Sequence, residues 1–222
     1  QVWNATIGHK FAAYTGHAGM IYALAWSPDG KNVASTSSTA DSTATIQLWD
    51  TGSGSTIFTY RGHTYWVRAI AWSPNGTHLA SGSWREVQVW DWHSSGEHKL
   101  FTYRGHQSWV RAVAWSPNGK RLVSADEDKT VHVWEPIGKG RAHTIYRGHS
   151  DWVSMVAWSP DGKHIASAGK DGGIHVWDAD TASNTFTHQL QPASTCAIAW
   201  LPDNKHVVYA SSDGAIHVWR VV

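Results

Sequence analysis

YRGHSDWVSMVAWSPDGKHIASAGKDGGIHVWD, residues 146–178, decides the fold, because the chain says it more than once. The same marks in the same order stand in YRGHQSWVRAVAWSPNGKRLVSADEDKTVHVWE (103–135) and YRGHTYWVRAIAWSPNGTHLASGSWREVQVWD (60–91). A further copy runs from Tyr14 to Asp50, and a degenerate one from Cys196 to Arg220. The closing tryptophans Trp49, Trp90, Trp134, Trp177 and Trp219 are 41, 44, 43 and 42 residues apart. Such a period takes precedence over any local reading: each repeat is one supersecondary unit that buries its faces only against its neighbours.

Inside a copy the periodicity is that of strands. WVRAIAW (66–72) alternates, as one half-buried strand does. Ser-Pro-Asn-Gly or Ser-Pro-Asp-Gly follows, a turn in which Pro presets φ and Gly takes a positive φ. HLASGS (78–83), VQVW (87–90) and HKLFTYR (98–104) supply a second, third and fourth strand. No stretch carries helical periodicity with caps. The expected class is all-β, with four-stranded antiparallel blades at a spacing near 40–45 residues.

Composition narrows the function. The 222 residues carry 18 basic and 17 acidic side chains, a formal net charge of +1. That balance provides no basic field for nucleic acid. No run approaches the ~18 apolar residues of a membrane span. One cysteine, Cys196, forms no internal disulfide and reads as a small buried strand residue; the cytoplasm is the expected compartment. Neither a metal nor a cofactor is expected. Paired carboxylates, a Gly-rich phosphate loop and a nucleophile elbow are all lacking, so an enzyme is not expected either.

Gly-His, Ser-Pro-Asp-Gly and Trp-Asp, recurring together over the whole chain, resemble the WD40-repeat family in its repeat-rich, bacterial form. The resemblance implies a β-propeller and, in each blade, a hydrogen-bonded set of His, Ser or Thr, Asp and Trp. Carried onto this chain, blade three has His106, Ser124, Asp128 and Trp134, and blade four His149, Ser167, Asp171 and Trp177. Blade two has His63, Ser81 and Trp90, with Arg85 in place of the acid in a turn one residue short. Blade one has His17, Ser35 and Trp49, with Asp41 in an enlarged turn as the candidate acid. Blade five keeps Asp213 and Trp219, with Gln191 and Tyr209 at the His and Ser positions. The strand histidines His132, His175 and His217 read as residues packing between blades, not as a metal set.

The blades divide at about 14–59, 60–102, 103–145, 146–187 and 188–222, all one domain spanning 1–222. HKFAAYTGH (9–17) reads as a fourth strand completing the last blade, which would close the ring. QVWN (1–4) reads instead as a third strand of an earlier copy, and the family implies more blades, most often seven. Both readings stand at this stage, as do a longer array and self-association of an unclosed ring.

Function is expected on the turns of one face. Tyr65, Trp66, Arg68, Trp109, Arg111 and Trp152 follow the Gly-His loops, and Trp84, Arg85, Glu127 and Lys170 sit in the turns after the second strands. Aromatics and arginine dominate binding hot spots. The expected role is a non-catalytic protein- or peptide-binding scaffold. By resemblance it would be the C-terminal part of a larger multidomain signalling protein. A lectin-like propeller binding carbohydrate or another small molecule and an excised or engineered array without a ligand are the alternatives.

Overall fold

The computed structural model describes residues 1–38, 44–93, 99–136, 142–190 and 195–221, and places 21 strands and no helix among them. Val2–Trp3 (β1) and Lys10–Ala12 (β2) form a hairpin. Blade one is Met20–Trp26 (β3), Asn32–Ser38 (β4), Ala44–Asp50 (β5) and Thr56–Tyr60 (β6). Blade two is Ala69–Trp72 (β7), His78–Gly82 (β8), Val87–Asp91 (β9) and Lys99–Tyr103 (β10). Blade three is Val110–Trp115 (β11), Leu122–Asp126 (β12), Val131–Trp134 (β13) and Ala142–Tyr146 (β14). Blade four is Val153–Trp158 (β15), His164–Gly169 (β16), Gly173–Asp178 (β17) and Asn184–Gln189 (β18). Blade five has three described strands, Thr195–Trp200 (β19), His206–Ser211 (β20) and Ile216–Arg220 (β21).

Every blade is an antiparallel meander. The Ser-Pro-Asp-Gly turns close as the residues dictate: in blade four Ser159 Oγ donates to Asp161 Oδ1 at 2.6 Å, and Gly162 takes a φ of +71° that side chains avoid.

Adjacent blades pack through one repeated junction. The front face of a blade is the one turned to its predecessor. There the closing tryptophan (Trp90, Trp134, Trp177) and its second-strand neighbour (Leu79, Leu122, Ile165) are fully buried. The back face of the preceding blade brings the alternate apolar residues of its third strand, such as Val87 and Val89 against Val110, Trp115 and Leu122. Each junction is pinned by one indole: Trp72 donates to the Ala25 carbonyl, Trp115 to Ala71, Trp158 to Ala114 and Trp200 to Ala157, all at 3.1–3.2 Å. A buried indole N–H needs such an acceptor.

Two expectations are corrected. The strand after His9 does not complete blade five. Lys10–Ala12 pairs with Val2–Trp3, with the same shift before the tryptophan that β5 and β6 show before Trp49. The hairpin therefore has the pairing of third and fourth strands, as QVWN implied. Its turn is closed locally by Asn4, whose side chain accepts from the Thr6 amide at 2.9 Å. A partner a few residues away costs far less loop entropy than one two hundred residues away. Cys196, expected inside, is exposed, because no described blade packs on the back of blade five.

Candidate functional site

In blades one to four the inward-facing serine of the second strand ties two neighbours together. Ser124 Oγ lies 2.6 Å from His106 Nε2 and accepts from Trp134 Nε1 at 3.0 Å. Ser167 does the same with His149 and Trp177, Ser81 with His63 and Trp90, and Ser35 with His17 and Trp49. A tyrosine from the preceding fourth strand stacks on each of these tryptophans, Tyr103 on Trp134 at 4.5 Å for example.

The acid of each set is where the sequence misleads. In blade four Asp171 meets His149 Nδ1 at 3.0 Å and takes the Ser150 and Gly173 amides. Burial pushes this carboxyl up, but His149 and those amides more than offset it and hold it well below the usual range. In blade three alignment gives the role to Asp128, yet Asp128 is exposed and the carboxylate belongs to Asp126. Asp126 is fully buried, with Oδ2 3.1 Å from His106 Nδ1, off the line of a straight hydrogen bond, and Oδ1 accepting from the Thr130 hydroxyl at 2.9 Å. The reason lies at the equivalent residue of blade four, Gly169. A Cβ there would stand 2.9 Å from Asp171 Oδ1 and 3.0 Å from His149 Nδ1, so a side chain at this position points into the acid's place. Blade three fills that place from Asp126; blade four leaves it open for Asp171.

Blade two gives a second correction. Arg85 does not face His63: the shortened turn puts it at φ +61° and aims it at Gln107 Oε1, 2.7 Å away in blade three. Glu86 takes the acid's place, 3.2 Å from His63 Nδ1, and also accepts from Gln88 and Arg104. Asp41 and Gln191 lie outside the described residues. In blade five Asp213 is exposed and pairs with its own strand histidine, His217, at 3.0 Å, while Tyr209 bonds His188.

His132 and His175 pack between blades: each stacks on the loop histidine of its own blade, at 4.3 and 4.1 Å, and bonds the hydroxyl of a tyrosine from the preceding blade's fourth strand, Tyr103 or Tyr146. His149, Asp171 and His175 bring ligand-type atoms within 4.8 Å of one another. Nitrogen lone pairs lie in the ring planes, and two rings stacked 15° from parallel cannot aim theirs at one cation.

A second group of residues faces outward at the same end of the blades. It forms a continuous stripe. Tyr22 of blade one stacks on Trp66 of blade two at 5.7 Å. Arg68 lies over Trp109 of blade three at 4.7 Å, and Trp109 is also met by Trp66, Tyr65 and Trp84. Arg111 lies over Trp152 of blade four at 5.5 Å, with Lys170 on the same ring at 4.8 Å. Glu127 holds Arg111 through a 2.6 Å bond from Nε and stands 3.8 Å from Arg68. Burial, then the Arg111 charge, lower the pKa of Arg68. The stripe ends in a cleft of about 240 Å³ lined by Arg111, Trp152, Ser154, Gly169, Lys170 and Thr195. Three of its polar atoms, Trp66 Nε1, Arg68 Nε and Thr195 Oγ1, are buried with no hydrogen-bond partner among the described residues.

The profile of the WD domain, G-beta repeat, matches five times, at residues 8–50, 54–91, 97–135, 140–178 and 183–220. The chain belongs to the WD40 family. No curated protein matches it. WD40 propellers are in general non-catalytic scaffolds that bind proteins and peptides.

Within this WD40 array nine of the ten residues expected on the binding face, Tyr65, Trp66, Arg68, Trp84, Trp109, Arg111, Glu127, Trp152 and Lys170, meet in the stripe, and Arg85 points aside to Gln107. Tyr22 and Thr195 were missed. Tyr22 stands at the repeat position of Arg68 and Arg111, which was the available signal; Thr195 stands at that of Val110 and Val153 and gave none. A larger cleft of about 430 Å³ lies among the Ser-Pro turns of blades one and two, where Trp92 donates to the Gly76 carbonyl and Ser27 to Asp29. The relay itself is testable at Gly169. Gly169→Ala is expected to cost about 1–3 kcal/mol, because the new methyl meets the Trp152 carbonyl at 2.8 Å as well as Asp171 and His149. Urea unfolding measures it, and an unchanged midpoint would contradict the packing described.

Proposed function

We propose that this WD40 array is a non-catalytic scaffold that takes an extended peptide or protein loop across the stripe, with an acidic side chain seated between Arg111 and Lys170 beside Trp152. One observation carries the reading: polar groups kept dry and unpaired along a surface that bears three cations, Arg68, Arg111 and Lys170, against the carboxylates of Glu127 and Asp151. Leaving a buried donor unsatisfied costs about 1–3 kcal/mol, a cost that a ligand's carbonyl or carboxylate removes on binding. Arginine and tryptophan together supply charge pairing and large contact area at modest entropic loss. A sugar finds fewer surfaces here, since Trp66 and Trp109 are already covered by Tyr22, Arg68 and each other.

The test is peptide selection from a displayed random library on the immobilised chain. Peptides carrying an acidic residue next to an apolar one are expected to emerge. Their affinity is expected to fall at least tenfold in Arg111→Ala and in Trp152→Ala, with unfolding midpoints close to the parent's. No selectable peptide, or selected peptides that bind both variants undiminished, would overturn the proposal.

A further inference from the structure

At the Ser-Pro end of the blades, the junction between blades one and two is built differently from the next three. The residue that opens a second strand there reaches over the first-strand tryptophan of the following blade. His78 stacks on Trp115 at 6.3 Å, Arg121 lies over Trp158 at 5.2 Å and His164 lies against Trp200 at 6.4 Å. In blade one the residue at this position is Asn32, too short for the reach. Trp72 of blade two is met instead by Trp92 of its own blade, edge-on at 5.7 Å. Elsewhere the residue two places after the closing tryptophan is Thr51, Pro136, Ala179 or Val221, so this aromatic belongs to blade two alone. The exchange leaves a cleft of about 430 Å³ between the turns, lined by Asp29, Asn32, Asn75, Trp92 and His93 among others. That volume lies within the range of about 300–1,000 Å³ that small-molecule sites span.

The lining keeps hydrogen-bonding capacity in hand. Asn32 is only 8% exposed, and its side-chain amide has no partner among the described residues. Asn75 Oδ1 accepts from the Ser73 hydroxyl and from the amide and hydroxyl of Thr77, while its NH2 group donates to none of the described residues. Asp29 Oδ1 accepts from the Ser27 hydroxyl and the Lys31 amide, leaving Oδ2 without a partner among the described residues. Donors and acceptors therefore stand side by side next to an indole, and the described lining holds no lysine or arginine. An anion finds no cation there, and a simple cation leaves the amide donors unpaired. A sugar meets both demands. Each of its hydroxyls donates and accepts, and the C–H face of its ring suits the electron-rich face of an indole. We infer that this cleft binds a neutral hexose, free or as the end unit of a glycan, at the opposite end of the blades from the peptide stripe. Asn32, Asn75 and Asp29 bond its hydroxyls, and Trp92 takes its apolar face. The cleft and the stripe share no residue, so neither reading rests on the other.

Saturation-transfer NMR of the full chain with the methyl glycosides of glucose, galactose and mannose tests this. At least one of the three is expected to bind with a Kd below about 20 mM. Asn32→His installs the side chain that blades two and four carry at this position, and is expected to weaken that binding at least tenfold with the unfolding midpoint of the parent. Trp92→Ala is expected to weaken it as much. No transfer from the chain to any of the three glycosides at about 20 mM would overturn the inference. So would an affinity unchanged in Asn32→His, or binding of methylguanidinium in preference to all three. A glycoside lost in Trp152→Ala but kept in Asn32→His would put the sugar on the stripe and overturn it too.

Discussion

Asp126→Ala is expected to lower the unfolding free energy by about 3–5 kcal/mol, and Asp128→Ala to change it by no more than about 0.5 kcal/mol. The two aspartates are two residues apart and differ only in where they point. Asp126 is fully buried against His106, and its carboxylate also accepts from the Thr130 hydroxyl and, at 3.3 Å, from the Gln107 amide. Removing it leaves the buried His106 Nδ1 and the Thr130 amide without their carboxylate, and each such loss costs about 1–3 kcal/mol. Asp128 is exposed and is not among those contacts. Urea unfolding at neutral pH separates the two variants. Equal effects, or a larger one at Asp128, would show that the acid of blade three has been assigned to the wrong residue.

Acidification is expected to remove about 4 kcal/mol of stability between pH 7.5 and pH 5, with two histidines as the main cause. Burial first, then the neighbouring His106, lowers His132 to about 3; burial and His149 lower His175 to about 4. A histidine with a depressed folded pKa binds its proton more readily when unfolded. Stability is then fully present above the unfolded value near 6.5 and is lost as pH falls toward the folded values. At pH 5 this amounts to about 2 kcal/mol for each residue. The carboxylates Asp126 and Asp171 have lowered values and contribute only further down. Blades one and two show the remedy, since Gln47 and Gln88 stand at the same strand position and accept the tyrosine hydroxyl that His132 and His175 meet. His132→Gln with His175→Gln is expected to remove most of the pH dependence over this range, leaving the part that belongs to His17 and His63, which burial also lowers. A slope that survives the double substitution undiminished would place the titration elsewhere.

Much of this was legible in one line of sequence. The 41–44-residue period of the tryptophans, the Ser-Pro-Asn-Gly and Ser-Pro-Asp-Gly turns and the alternating strands specify each meander, because turn chemistry and pleat leave one register. The serine–histidine–tryptophan bonds follow from the same register in four blades. The acids were not legible. Whether a carboxylate comes from Asp126 or from the position of Asp171 depends on which way one backbone position aims its Cβ, and Gly169 hides that direction because it has none. Arg85 was misplaced for a related reason: a turn one residue short exchanges left-handed and right-handed backbone positions, and the acid moves to Glu86. The hairpin of residues 2–12 was readable in two ways because a third strand and a missing fourth strand carry the same residues. Contacts between blades, such as Tyr22 on Trp66, join positions that no within-repeat pattern relates.

The central claim is that partners are held by the stripe at the Gly-His end of the blades, while the relay beneath it serves the fold. Hydrogen exchange of the chain with and without a selected peptide tests it most directly. Protection is expected over residues 66–70, 109–112 and 152–155 and around Lys170, with none at the Ser-Pro turns 27–30, 73–76, 116–119 and 159–162 on the opposite end. A footprint on those turns, with the stripe exchanging as in the free chain, would contradict the account.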